Sequence, residues 1–149
     1  MQRFVSRVVN KLDAKGRVSV PALFRQVLAA QNTDGFYCIR SVAHPALNGF
    51  GEDLFTQADA QLNNLSPIFS QDFAAQATAV FGQARLLSFD DEGRVRLPDE
   101  LIAFAGIQER VLFVGLNRIF EIWNPDSFEP VERERLELMQ QVYRTGGAA

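Results

Sequence analysis

A ten-residue pattern occurs twice in this chain, with five of its positions identical. Leu12-Asp13-Ala14-Lys15-Gly16-Arg17-Val18-Ser19-Val20-Pro21 returns as Phe89-Asp90-Asp91-Glu92-Gly93-Arg94-Val95-Arg96-Leu97-Pro98. The Asp, Gly, Arg, Val and Pro of the two copies align without a gap, at a constant offset of 77 residues. A repeat kept in register within a chain of 149 residues implies two versions of one structural unit packed together. The length fits one compact domain, or two small halves sharing one core. A chain of this size buries roughly 68–70% of its unfolded surface, so it needs no covalent staples.

The local chemistry of the repeat is that of a tight hairpin. Asp13 can accept hydrogen bonds from the backbone beyond it, and Gly16 takes a positive φ at little cost. Asp13-Ala14-Lys15-Gly16 is therefore expected to be a type I turn closed by a left-handed glycine, joining a strand at Arg3–Val9 to a returning strand at Arg17–Val20. Pro21 opens a helix with Leu23, Phe24, Val27 and Leu28 on one face. Strands are expected at Phe36–Ser41 and Leu47–Phe50. Two helices then make a spacer over roughly residues 52–82, the second capped by Ser70 and turning Phe73, Ala74, Ala77 and Phe81 inward. The second unit replays the first: a strand to Phe89, a turn over Asp90–Gly93, a return strand, and a helix from Pro98 to Gly106. A hairpin around Asn117-Arg118 follows. The last helix, residues 125–143, carries Phe128, Val131, Leu138, Met139 and Val142 on its apolar face, and Arg144 to Ala149 is expected to fray. This order of elements belongs to the α+β class.

Charge is distributed unevenly. The net charge is −3, which on its face speaks against a polyanionic partner. Residues 1–30, however, hold Arg3, Arg7, Lys11, Lys15, Arg17 and Arg25 against Asp13 alone, a net of +5. The remainder holds nine basic and seventeen acidic residues, a net of −8. One cationic face on an acidic body is enough to meet nucleic acid. Cations on a rigid turn can reach phosphates or the guanine edges of a groove, which makes Arg17 and Lys15 the leading candidates, with Arg3 and Lys11 beside them. Arg94 has the same framework, but Asp91 and Glu92 stand where the first copy has Ala14 and Lys15, so its turn is anionic and its role is expected to have diverged.

Enzymatic and metal chemistry find few residues to work with. His44 is the only histidine and is read as a surface or packing residue. Cys38 is the only cysteine, flanked by Tyr37 and Ile39, and is read as a buried, inert thiol that forms no internal disulfide. One His and one Cys cannot furnish a typical zinc site. No catalytic residues, cofactor or small-molecule substrate are expected. No stretch approaches the roughly 18 apolar residues of a membrane span, and no secretory leader precedes Arg3, so a cytoplasmic protein is expected.

The strings Leu12–Pro21 and Asp90–Arg94, at this spacing, resemble those of MraZ-type regulators, which contain two SpoVT-AbrB-like repeats. The resemblance runs from about Arg3 to Leu138. It implies that units at residues 7–54 and 83–126 form one swapped-hairpin β-barrel with flanking helices. It further implies a ring-like homo-oligomer that binds double-stranded DNA at repeated G-rich boxes, usually as a repressor of the division and cell-wall operon, and is associated with the nucleoid. By position, the DNA-contacting arginine falls on Arg17 and its counterpart on Arg94. AbrB-like hairpins also occur in antitoxins, so a protein-interaction module is the alternative; an enzyme on a related barrel is a distant third.

Overall fold

The computed structural model describes residues 2–146. In chain order the elements are β1 (Arg7–Lys11), β2 (Arg17–Ser19), α1 (Ala22–Ala30), β3 (Gly35–Arg40), β4 (Leu47–Phe50), α2 (Glu52–Leu62) and α3 (Gln71–Ala77, running into a π-helical turn at Thr78–Gly82). Then come β5 (Arg85–Ser88), β6 (Arg94–Arg96), α4 (Asp99–Ala105), β7 (Arg110–Leu116), β8 (Ile119–Trp123) and α5 (Pro125–Arg144). The fold is α+β. The succession strand, strand, helix, strand, strand occurs twice, with α2 and α3 between the two runs. Pro21 and Pro98 stand one residue before α1 and α4 rather than inside them, with extended ψ values of 137° and 143°.

The two halves complete each other's sheets. Six antiparallel strands lie in the order β1-β7-β8-β4-β3-β5, and β2 pairs with β6 in a separate ribbon. Thus β1 of the first half lies on β7 of the second, β5 of the second lies on β3 of the first, and β4 lies on β8. In the ribbon Val18 is opposite Val95, its own counterpart in the repeat. A residue facing its equivalent marks a pseudo-two-fold axis. Both valines are 1% exposed and sit in one core with Val20, Leu97, Phe24, Phe36 and Phe113. Phe120 is the centre of that core: its ring lies 5.0 Å from those of Phe4 and Phe36, both edge to face. Gly49 makes room for it, since a Cβ there would lie 2.3 Å from the ring. Burial pushes the Cys38 thiol up to about 12, so it is not a thiolate at neutral pH.

Two apolar helix faces are open, one of them, on α3, expected to turn inward. Ser70 caps α3 as expected, its Oγ accepting from the Phe73 amide at 3.1 Å. Yet no residue of α3 is buried. Phe73, Ala77 and Phe81 instead line an open groove with Leu62, Leu65 and Pro67, and Ile68 and Phe69 project beside it. The helices α2 and α3 pack on each other, and Phe55 of α2 meets Tyr37 and Phe50 of the sheet at 4.7 and 5.4 Å, leaving the groove side uncovered. Likewise α5 docks only through its first turns. Phe128 is its one buried residue, while Leu136, Leu138, Met139 and Tyr143 are exposed. Its 20 residues run about 30 Å, and the sheet meets only the beginning. Arg144 is helical; residues 147–149 lie outside the described residues.

The docked part of α5 is held by charge as well as by packing. The guanidinium groups of Arg7 and Arg135 lie over the Phe128 ring, 5.6 Å and 5.8 Å from its centre. Arg135 donates to both carboxylate oxygens of Glu121, at 2.8 and 3.0 Å, and the Trp123 indole N–H donates to the same group at 3.0 Å. Arg7 pairs with Glu132. Burial pushes the Glu121 carboxyl up, but the bonds from Arg135 and Trp123 and nearby positive charge outweigh it, so its pKa falls below the ordinary value. The unfolded chain therefore takes up this proton first as pH falls, and the stabilisation, complete above the ordinary carboxylate range, is lost as pH drops through the folded value. Glu121→Gln is expected to cost about 2–3 kcal/mol at pH 7, below the 3–5 of fully buried pairs because Arg135 stays 37% exposed. In urea melts from pH 7 to pH 3, the gap between wild type and Glu121→Gln should close.

Candidate nucleic-acid interface

Each of the two repeated turns is built by one carboxylate. The Asp13 carboxylate accepts from the Lys15 and Arg17 amides on Oδ1, at 2.9 and 2.8 Å, and from Arg17 Nε on Oδ2, at 2.7 Å. The Gly16 amide donates to the Asp13 carbonyl at 3.0 Å, and Gly16 has φ 78°. The second copy repeats this geometry: Asp90 accepts from the Glu92 and Arg94 amides and from Arg94 Nε, each at 2.9 Å, and Gly93 has φ 74°. Hydrogen bonds from the Arg17 amide, then from its side chain and the Lys15 amide, hold the Asp13 carboxyl below its ordinary pKa against slight desolvation. Asp90 is lowered in the same way, first by the Arg94 amide. Each arginine is thus fixed through Nε by its own turn; the terminal nitrogens of Arg17 make no hydrogen bond or ion pair among the described residues, whereas Nη1 of Arg94 lies 3.7 Å from Glu92.

The ribbon gathers these groups on one face. Val18 and Val95 point into the core, so their neighbours Arg17, Ser19, Arg94 and Arg96 share the opposite face. Arg17 is opposite Arg96, and Ser19 opposite Arg94. Each turn is also tied to the other half: the Gly16 carbonyl accepts from the Leu97 amide at 2.8 Å, and the Gly93 carbonyl from the Val20 amide at 3.1 Å.

The two ends of the ribbon differ in charge. Among the described residues Arg17 pairs with Asp13 alone, and Lys15 is exposed without an ion-pair partner. Arg94 pairs with Asp90 and lies 3.7 Å from Glu92 as well, and these groups raise its pKa. The Arg25 side chain packs over Gly93 and donates to the Val20 carbonyl at 3.1 Å.

The structure puts Lys15 and Arg17 at one end of the ribbon and Arg94 at the other, on the same face as Arg17. Lys11 is at the end of β1 near the turn, but on the face that carries Arg7 and Val9; its neighbour Asn10 faces the ribbon and donates to the Ser19 carbonyl. Arg3 is not part of the cluster. It lies beyond the opposite end of β1 from Lys11, next to the Phe4–Asn117 bridge and past a left-handed residue at Ser6. Arg96 was not singled out from the sequence, and Arg25 was counted among the cations of residues 1–30 without a role at a turn. Arg96 stands in the repeated string where the first copy has Ser19, but only the β2–β6 pairing reveals its neighbour. Among the described residues no cluster of three or more His, Cys, Asp and Glu could hold a metal ion, and no helix is long and apolar enough to cross a membrane.

Comparison with known proteins bears on this geometry. Transcriptional regulator MraZ of Xanthobacter autotrophicus is 41% identical over 148 residues, covering 99% of this chain and 94% of that protein. The chain belongs to the MraZ family. The MraZ of Azorhizobium caulinodans is 40% identical with the same coverage, and that of Rickettsia canadensis 41% identical over 87% of this chain and 86% of the relative. A family model described as "MraZ protein, putative antitoxin-like" matches residues 80–147, the half holding the second turn and α5. These MraZ relatives carry the name of transcriptional regulators.

The left-handed glycines make the turn geometry testable. Gly16→Ala places a Cβ at φ 78° and 3.3 Å from the Leu97 carbonyl oxygen. It is expected to lower stability by about 1–2 kcal/mol, read as a lower urea midpoint at unchanged m-value.

Proposed function

We propose that this MraZ-family chain is a sequence-specific DNA-binding transcriptional regulator that acts as an oligomer. One observation carries the reading: Arg17 is pinned through Nε by Asp13 while its terminal nitrogens have no partner among the described residues, on a turn that also presents Lys15. Such a side chain has lost its rotamer freedom before binding, and two parallel N–H groups match the acceptor edge of guanine. The names of the relatives agree with it. We read the exchange of strands between halves as a swapped-hairpin β-barrel of two SpoVT-AbrB-like units, residues 7–54 and 83–126. The finer role we propose is repression of the division and cell-wall operon, including this chain's own gene, through repeated G-rich boxes. A cytoplasmic, nucleoid-associated protein without catalytic activity follows from that role.

A single turn provides little affinity, and an oligomer solves this by presenting several turns at a fixed spacing. The open groove of α2 and α3 and the exposed stripe on α5 support assembly, since large exposed apolar patches mark contact surfaces. Two different surfaces meeting head to tail generate a closed ring when the rotation allows it. The double variant Leu136→Asp, Met139→Asp is expected to reduce the mass measured by light scattering.

The same stripe, together with the family description, favours a second reading, an antitoxin-like interaction module. DNA titration separates the two. Wild type should bind duplex DNA from upstream of its own operon at least tenfold more tightly than scrambled duplex. Arg17→Ala should remove most of that preference and lower the salt slope by about 0.9 for each phosphate it no longer neutralises. Equal binding to both duplexes would reduce the claim to nonspecific affinity; no binding at 50 mM salt would leave the interaction module.

A further inference from the structure

We propose that Arg96, from the second half of the chain, is a DNA phosphate contact at the first turn, so that the binding end of the ribbon is composite. The inference rests on the DNA-binding reading above and adds a residue that the repeat itself does not indicate.

Arg96 is directly opposite Arg17. Opposed residues in an antiparallel pair have their Cβ atoms about 4.5–5.5 Å apart, and like charges so placed destabilise the pairing. The bond from the Leu97 amide to the Gly16 carbonyl holds Arg96 against the turn, with its Cγ 4.0 Å from where a Cβ on Gly16 would lie. Asp13, the only acid of that turn, is already occupied by Arg17. Among the described residues Arg96 forms no ion pair and no side-chain hydrogen bond, and it is exposed. The fold gains nothing from this guanidinium, and an anion brought to the ribbon would relieve the repulsion.

The pseudo-symmetric position shows what the fold alone requires. There the counterpart of Arg96 is Ser19, which faces Arg94 without a second cation. The first end of the ribbon therefore holds Lys15, Arg17 and Arg96 against Asp13. The second holds Arg94 and Arg25 against Asp90, Asp91 and Glu92. The position of Arg25 is occupied at the first end by Ile102, whose Cδ1 approaches Gly16. Each difference between the halves moves positive charge toward the first turn or offsets acid at the second.

The two arginines of the first end are suited to different contacts. Arg17 is fixed through Nε and has a set direction, as a base-edge reader needs. Arg96 has a free stem and no partner, and can follow a phosphate whose position varies with sequence. Its removal is then expected to weaken binding to all duplexes alike.

The test is a fluorescence-anisotropy titration of the full chain from 50 to 200 mM salt, with the upstream duplex and with a scrambled one. Wild type is compared with Arg96→Ser, which restores the residue of the symmetric position, and with Arg96→Lys. Arg96→Ser should bind both duplexes about three- to tenfold more weakly, with a salt slope lower by about 0.9 per chain engaged, while Arg96→Lys keeps the slope. Thermal unfolding of Arg96→Ser should match or exceed wild type, since a like-charge pair is removed; Arg96→Gln, which keeps most of the stem, carries the test if the serine variant does not fold. If wild type binds neither duplex, the DNA reading itself fails. If wild type binds and the Arg96 variants match it in affinity and slope, this inference alone is overturned. Weakening confined to the upstream duplex would overturn the phosphate assignment.

Discussion

Two backbone hydrogen bonds hold the rest of this molecule in place: Leu97 amide to Gly16 carbonyl, and Val20 amide to Gly93 carbonyl. Each ties the turn of one half to the returning strand of the other, on either side of the Val18–Val95 pair. Because each strand of the ribbon comes from a different half, neither half can form it alone. The same holds for β1 on β7 and β5 on β3, so strand edges left open in one half are covered by the other. The position of each Asp-built turn is thus set by the partner half as well as by its own residues. That makes the arginines rigid relative to each other, which a loop on a single hairpin could not achieve.

A nearly symmetric scaffold carries an asymmetric surface. The hydrogen bonds within the two turns agree to within 0.2 Å, the side-chain bond from Nε to Oδ2 being 2.7 Å in one and 2.9 Å in the other. What differs is the side chains that need not define the turn: Lys15 against Glu92, Ala14 against Asp91, Ser19 against Arg96, Arg25 against Ile102. The first three pairs are exposed, so they can change charge without disturbing the core; Arg25 and Ile102 are half-buried on their helices, and each packs over the glycine of a turn. An acidic protein thereby keeps one cationic end. The negative charge elsewhere is partly used in docking α5, where Glu121 and Arg135 close over Trp123 and Phe128.

Much of this was legible from residue chemistry. Asp13 and Gly16 announce a turn because one accepts locally and the other tolerates φ 78°, and both roles appear as expected. The apolar spacing of α1 and the cap of α3 are likewise local effects. The inward face of α3 and the far end of α5 were not legible, because an amphipathic pattern records that a face is apolar and not what covers it. Met139, 63% exposed, satisfies the helical pattern without being covered, and Phe81, 39% exposed, stacks on Phe55 at 5.1 Å while its other side lines the open groove. Arg3 and Lys11 were grouped with Arg17 by sequence proximity, yet strand geometry carries Arg3 to the far end of β1 and puts Lys11 on its other face.

The sequence by itself determined the two turns, the arginine that each carries, the helices after each proline, and the membership of a repeat family. These depend on interactions within a few residues. Tertiary structure alone decided which strands pair. That pairing sets Val18 against Val95 in the core and Arg17 against Arg96 outside it, residues nearly eighty positions apart. The physical reason is that an antiparallel register places every second side chain of two strands on a common face, and no local propensity specifies the partner strand. The cationic end of the ribbon is therefore a property of the pairing, assembled from both halves of the chain.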